Sequence, residues 1–277
     1  MTKRKMFPLL HWAGGKSQIL NAIIKNMPTK YNNYYEPFIG GAAVLFAISP
    51  IRAYTSDINE QLVNLYIQVK ESVENVIKKI NILDSVPCIK EFYYYIRYQY
   101  NNKITNHILD AESAALMIWV NKHCFNGLYR VNKNGKFNVP YNFKIKGKSI
   151  DENNIRLISQ YLNQCNIKIS CFDFEKVCET VREGDFVYFD SPYVPESITA
   201  SFTDYTMNGF SLKDHKRLNA LFKRLDGIGA KIMLSNNDVP LVRELYAGYR
   251  ICSLNVKRMI NCDGNKRFGR EVLIMNY

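Results

Sequence analysis

The chain has little of what metal, disulfide and export signatures require. Its seven cysteines are an odd number, scattered and without a C-x-x-C pair, and its four histidines stand apart from one another. That pattern fits free cytosolic thiols better than a disulfide framework or a zinc site. No apolar run is long enough to span a bilayer, and the opening MTKRKMFPLL carries no signal-peptide core. A cytoplasmic protein with no membrane partner is therefore expected. Repeats, low-complexity tracts and obvious linkers are missing. So is G-x-G-x-x-G, which argues against an ordinary dinucleotide site. Gly15-Lys16-Ser17 lacks the upstream glycine of a phosphate loop, which excludes a P-loop nucleotide triphosphatase.

What is present suits a large globular domain with a polyanionic partner. The 277 residues are 47% hydrophobic, enough for a sizeable core. The net charge of +12 favours nucleic acid first and a membrane surface second. Nineteen tyrosines, many interleaved with Lys and Arg, suit stacking on bases and suit core packing equally.

Short apolar runs alternate with helical patterns, which predicts an α/β fold with a mostly parallel sheet. Strands are expected at 34–38, 52–57, 167–172, 186–190 and 230–236. Two more, at 249–256 and 271–277, flank a basic loop and form a terminal antiparallel hairpin. Between 59 and 165 the strand rhythm is lost. INEQLVNLYIQVKESVENVIKKI is expected as one amphipathic helix and DAESAALMIWVNKHCF as another, with Asp110 as N-cap of the second. The stretch YYYIRYQYNNK, aromatic and basic together, falls inside this helical insertion, a natural place for substrate recognition.

Three loops carry candidate chemistry. GDFVYFDSPY (184–193) is a buried strand that stops at an acid, a small polar residue, a proline and an aromatic. The same letters also suit an ordinary turn. YYEPFIGG places Gly40-Gly41 between a strand and a helix, where backbone N–H groups can face a ligand. The next strand ends at Asp57, placed to accept both hydroxyls of a ribose or, alternatively, to cap the following helix. HWAGGK sets an indole and an ammonium around a third glycine pair.

PFIGG, DINEQLVNLY and DSPY stand in the order and spacing of the DNA adenine-N6 methyltransferases of the Dam type, and the chain resembles that family. The likeness extends to HWAGGK, FNGLYRVNKNGKFNVPY and FTDYTMNGFSLKDHKRL, and so spans nearly the whole chain. It is most similar to GATC-modifying enzymes, found alone or in Dpn-type restriction systems. The resemblance implies a seven-stranded Rossmann-like methyltransferase sheet, with a catalytic domain at 1–58 and 166–277 and a helical DNA target-recognition domain at 59–165. It also implies S-adenosylmethionine as cofactor, double-stranded DNA as substrate, a restriction endonuclease as a candidate partner, and no metal.

Roles carry over residue by residue. Trp12, Lys16, Phe38 and Gly40 match cofactor contacts, Asp57 the ribose acceptor, and Asp173 and Phe174 the neighbours of the cofactor adenine. Asp190, Ser191, Pro192 and Tyr193 match the catalytic tetrapeptide, Asp190 also bordering the cofactor. Phe125 and Asn126 match residues that enter the DNA stack; Leu128, Arg130 and Pro140 match residues that read the sequence. Two positions depart from the family. Ser191 replaces a proline but keeps the backbone carbonyl that the family uses. His11 stands where a lysine reaches a guanine, which leaves the outer base of the site open. A carboxylate and a carbonyl accepting the two N–H bonds of the adenine amine would localise its lone pair toward the methyl donor. Such chemistry needs the base outside the stack, with Tyr193 stacked on it. Two other functions stay open: an RNA or protein N-methyltransferase, and a catalytically impaired DNA-binding protein of the same fold.

Overall fold

A computed structural model describes residues 5–12, 14–143, 147–195, 209–257 and 268–277. Seven strands appear where the apolar runs place them: β1 (Tyr34–Glu36), β2 (Arg52–Ser56), β3 (Asn166–Ser170), β4 (Phe186–Phe189), β5 (Lys231–Asn237), β6 (Arg250–Lys257) and β7 (Phe268–Met275). β1 stops short of the expected 34–38 because Pro37 has no N–H to give to a ladder. The strands form one sheet in the order β3-β2-β1-β4-β5-β7-β6. The first five are mutually parallel, whereas β7 runs antiparallel to both β5 and β6. The basic loop at 257–270 lies, apart from its ends in β6 and β7, outside the described residues. So do the first seven residues of FTDYTMNGFSLKDHKRL.

Both faces of the sheet are covered, so its central strands read as continuous apolar runs. All four residues of β4 are buried. Tyr34, Phe186, Tyr188 and Met233 point into one core; Tyr35, Val187, Phe189 and Leu234 point into the other. The first core is built with α1 (Leu20–Asn26), α2 (Ala43–Ile48), α3 (Glu60–Glu71), α4 (Val73–Asp84), α5 (Lys90–Thr105), α6 (Ala111–His123) and α7 (Glu152–Gln164). The second is built with α8 (Phe174–Val177), α9 (Leu212–Gly227) and α10 (Pro240–Leu245). Among the described residues no helix is long and apolar enough to cross a membrane.

Two helix expectations need correction. The long pattern beginning at Ile58 is two helices, α3 and α4, because Ser72 leaves helical geometry at φ −145° and ψ 41°. Its start is fixed by Asn59, whose side chain accepts from the Gln61 and Leu62 amides. α6 is buried nearly all round, not amphipathic; Trp119 at its centre is fully enclosed. Asp110 caps it as expected, in a reciprocal capping box with Ser113. The apolar core of the sheet continues without a break into α4, α5 and α6.

Candidate active site

β1 and β4 are neighbours, and from them the strand order runs outward in opposite directions. The loops at the carboxyl ends of these two strands therefore diverge and leave a crevice between them. The loop after β1 supplies Phe38 and Gly40-Gly41. Gly40 has φ +45°, and a Cβ there would stand 3.0 Å from Trp12 Cδ1. The glycine thus lets the indole of Trp12 lie directly on the backbone. Trp12 also stacks on Tyr129, with ring centroids 4.9 Å apart. Asp57, just past β2, accepts from the Gly40 amide at 3.2 Å and from the Asn59 amide at 2.9 Å. It ties two loops together, while the cap of α3 is Asn59. Burial pushes the Asp57 carboxyl up to about 6, and these backbone N–H groups oppose the shift.

The loop after β4 supplies the tetrapeptide. Asp190 Oδ1 accepts from Lys16 Nζ at 2.7 Å and from Ser235 Oγ at 3.0 Å. Neither contact uses Oδ2. Burial raises the Asp190 carboxyl, and the Lys16 ammonium beside it opposes that. Lys16 also donates to the Gly14 carbonyl at 2.6 Å and stands 4.6 Å from the centre of the Tyr193 ring. Tyr193 donates its hydroxyl to Glu271 Oε2 at 3.0 Å, and burial keeps that hydroxyl protonated. The Val194 amide donates to Asn236 Oδ1, and the Val194 carbonyl accepts from Asn237 Nδ2. Hence the end of β5 fixes the loop as firmly as β4 does. Ser191 is buried, and its hydroxyl has no hydrogen-bond partner among the described residues.

Asp173 and Phe174 lie three and four residues beyond β3, at the start of α8. Phe174 stacks on Phe38 at 5.3 Å and is itself buried. Asp173 Oδ1 caps α8 and accepts from Arg217 Nη2 at 2.9 Å, while the Arg217 guanidinium covers the Phe174 ring.

Residues 124–141 double back on themselves through bridges between Cys124 and Tyr141 and between Val131 and Phe137. This hairpin gathers Phe125, Asn126, Leu128, Arg130 and Pro140. Phe125 N donates to the Pro140 carbonyl at 2.8 Å. Arg130 is exposed and its Nε donates to Asn138 Oδ1 at 2.8 Å. Asn126 adopts φ 54° at the edge of the loop, and Phe125 is half exposed. α5 props the hairpin from behind. Tyr93 and Arg97 donate to the Val139 carbonyl, and Asn101 exchanges two hydrogen bonds with Phe137. The aromatic and basic letters of α5 thus serve in part as buried supports. His11 is exposed beside this hairpin: a Cβ on Gly127 would stand 2.5 Å from His11 Cβ.

The family model for D12 class N6 adenine-specific DNA methyltransferases matches residues 12–260. The chain belongs to that family. It is 44% identical over 288 residues to the Type II methyltransferase M.MjaIII of Methanocaldococcus jannaschii, covering 98% of this chain and 99% of that one. It is 40% identical over 277 residues to the Type II methyltransferase M1.LlaDCHI of Lactococcus lactis subsp. cremoris, covering 99% and 97%. The DNA adenine methylase of Escherichia coli K12 is similar at 29% over 279 residues, with 100% and 96% covered. This D12-class chain is therefore an adenine-specific DNA methyltransferase: it acts on DNA and requires a methyl donor. Its seven-stranded mixed sheet agrees with the Rossmann-like methyltransferase fold.

Several residues that support the candidate site carry little signal in the sequence. Ser235 and Asn236 are buried polar residues at the end of an apolar strand, a local signal that something beside them needs partners. Glu271 gave no signal, because its meaning depends on β7 pairing beside β5. Glu36 is buried, accepts from Tyr34 at 3.0 Å, and is pushed by burial up to about 8.

Proposed function

We propose that the enzyme methylates adenine N6 within GATC in double-stranded DNA, using S-adenosylmethionine and a flipped target base. The observation that carries this is the Asp190 carboxylate at the switch point of the sheet. One oxygen is fixed by Lys16 and Ser235, while the other takes no part in those contacts.

The donor set beside β1 and β2 fits the cofactor. Asp57 would accept the ribose hydroxyls, Gly40 would allow close backbone approach, and Phe38, Trp12 and Lys16 would line the pocket. Asp173 and Phe174 would border the cofactor adenine. Bound S-adenosylmethionine supplies an electrophilic methyl group on a positively charged sulfur. The protein's part is to prepare the amine. Asp190 Oδ2 accepts one N–H and the Ser191 carbonyl the other, which localises the nitrogen lone pair as the transition state forms. Tyr193, held by Glu271, offers a ring face to the extruded base. Phe125 and Asn126 fill the gap in the duplex. Leu128, Arg130 and Pro140 read the neighbouring pairs, with Arg130 the candidate for bidentate contact to guanine. His11 lies beside the same hairpin and contributes to the outer base.

Residues 1–58 and 166–277 would then form the catalytic domain and 59–165 the recognition domain. The likeness to enzymes named Type II methyltransferases supports a protective role beside a restriction endonuclease. The test is methyl transfer from tritiated S-adenosylmethionine to duplexes with GATC and with each single substitution. Efficient transfer to GATC alone is expected. Equal transfer to every duplex would remove the specificity, and binding without transfer would mark an impaired enzyme.

A further inference from the structure

We propose that Asn121 is a positioning residue that sets the height of the DNA-reading hairpin over the cofactor-side segment, and so controls sequence discrimination. This rests on the DNA-reading role given above to residues 124–141. Asn121 sits near the end of α6 and is 1% exposed. Its side-chain oxygen accepts from the His11 amide at 2.9 Å. Its side-chain nitrogen donates to the His11 carbonyl and to the Gly127 carbonyl, each at 2.9 Å. One amide group therefore reads both backbone groups of His11 and grips the hairpin beside Asn126. The orientation is fixed, since two carbonyls can be satisfied only by the NH₂ side.

The grip lies between the two halves of the site. His11 is followed by Trp12, which rests on Gly40 and stacks on Tyr129, the neighbour of Arg130. Gly127 has φ +64° and leaves no room for a Cβ against His11. The hairpin backbone at Gly127 thus lies against the His11 side chain, with Asn121 as the polar link between the two segments. A shift of the hairpin relative to Asp190 would misplace the invading and reading side chains against the base being methylated.

Asn121→Asp tests this without changing volume. The carboxylate still accepts from His11 but faces two carbonyls it cannot bond. The wild type and the variant are compared on GATC and on single-substituted duplexes. A 2-aminopurine at the target adenine reports extrusion, and calorimetry reports cofactor affinity. The ratio of kcat/KM between cognate and substituted duplexes should fall about tenfold, and the fluorescence rise on binding should shrink. Cofactor affinity should stay within about twofold. An unchanged ratio, or an equal loss on every duplex, overturns the proposal. Wild-type transfer to some other sequence would overturn the GATC assignment alone, and the ratio would then be read on that sequence. If Asn121→Asp does not fold, Gly127→Ala, whose Cβ would stand 2.5 Å from His11 Cβ, displaces the hairpin from His11 instead. Full discrimination in that variant would equally overturn the proposal.

Discussion

The loop after β4 and the hairpin at 124–141 both present functional side chains, but they are held by different forces. The tetrapeptide grows out of a fully buried strand and is fixed by the Lys16 ion pair, by Ser235 of β5 and, through the adjoining Val194, by Asn236 and Asn237 of the same strand. The hairpin is no part of the sheet: it is closed by two isolated bridges and a few hydrogen bonds of its own, and is braced from outside by α5 and Asn121. The proposed chemistry is thus built on the sheet itself, and the proposed recognition on a segment supported from outside it. Group transfer tolerates little misplacement, whereas base reading must adapt to a deformable partner.

The largest effect is expected at the rigid end. Asp190→Asn keeps the shape but removes the acceptor proposed for the transition state, so turnover should fall roughly 10²–10³-fold. Cofactor affinity, measured by calorimetry, should change far less. Turnover kept within about tenfold would place the chemistry elsewhere. Asp57→Asn should instead weaken cofactor binding by about 1.5–3 kcal/mol with little loss of saturated turnover.

The Asp57 carboxyl lies at about 6, above its ordinary value, so it is largely protonated below that pH. Ribose hydroxyls donate best to the ionised form. Wild-type cofactor affinity should therefore rise from about pH 5 to about pH 7, and binding near pH 6 should release protons. Asn at position 57 should flatten that profile. A wild-type profile that is already flat would separate Asp57 from the ribose.

Smaller effects are expected in the hairpin. Arg130→Ala should cost about 1–3 kcal/mol of discrimination at one base pair, leaving cofactor binding untouched. If every duplex weakens alike and the salt slope drops by about one unit, Arg130 is a phosphate contact instead. The smallest change belongs to Ser191→Pro. The Ser191 hydroxyl has no hydrogen-bond partner among the described residues to lose, so turnover should stay within about threefold. A collapse in that variant would mean that even the rigid loop relies on a freedom which proline denies.

Sequence legibility follows the same division. The seven strands and the acid-to-aromatic stop after β4 are local patterns, written in consecutive residues. The supports of the hairpin are not. Asn121, Arg97 and Asn101 look like ordinary helical residues until α5, α6 and residues 124–141 are brought together. The split at Ser72 was hidden because α3 and α4 continue one apolar periodicity. Glu271 is equally hidden, since it meets Tyr193 across 78 positions of sequence, as Asn121 meets His11 across 110.

The placement of β7 has a consequence for the order in which the candidate site is made. It is the last of the seven strands to leave the ribosome, yet it lies inside the sheet, between β5 and β6. Until it inserts, β5 has an open edge, and the tyrosine of the tetrapeptide lacks its anchor. The strands that flank the cofactor side, β1, β2 and β4, all precede β7 in the chain, whereas the anchor of Tyr193 is part of β7 itself. The order of synthesis thus separates the two halves of the candidate site: the cofactor side is encoded first, and the side chain that anchors Tyr193 comes with β7.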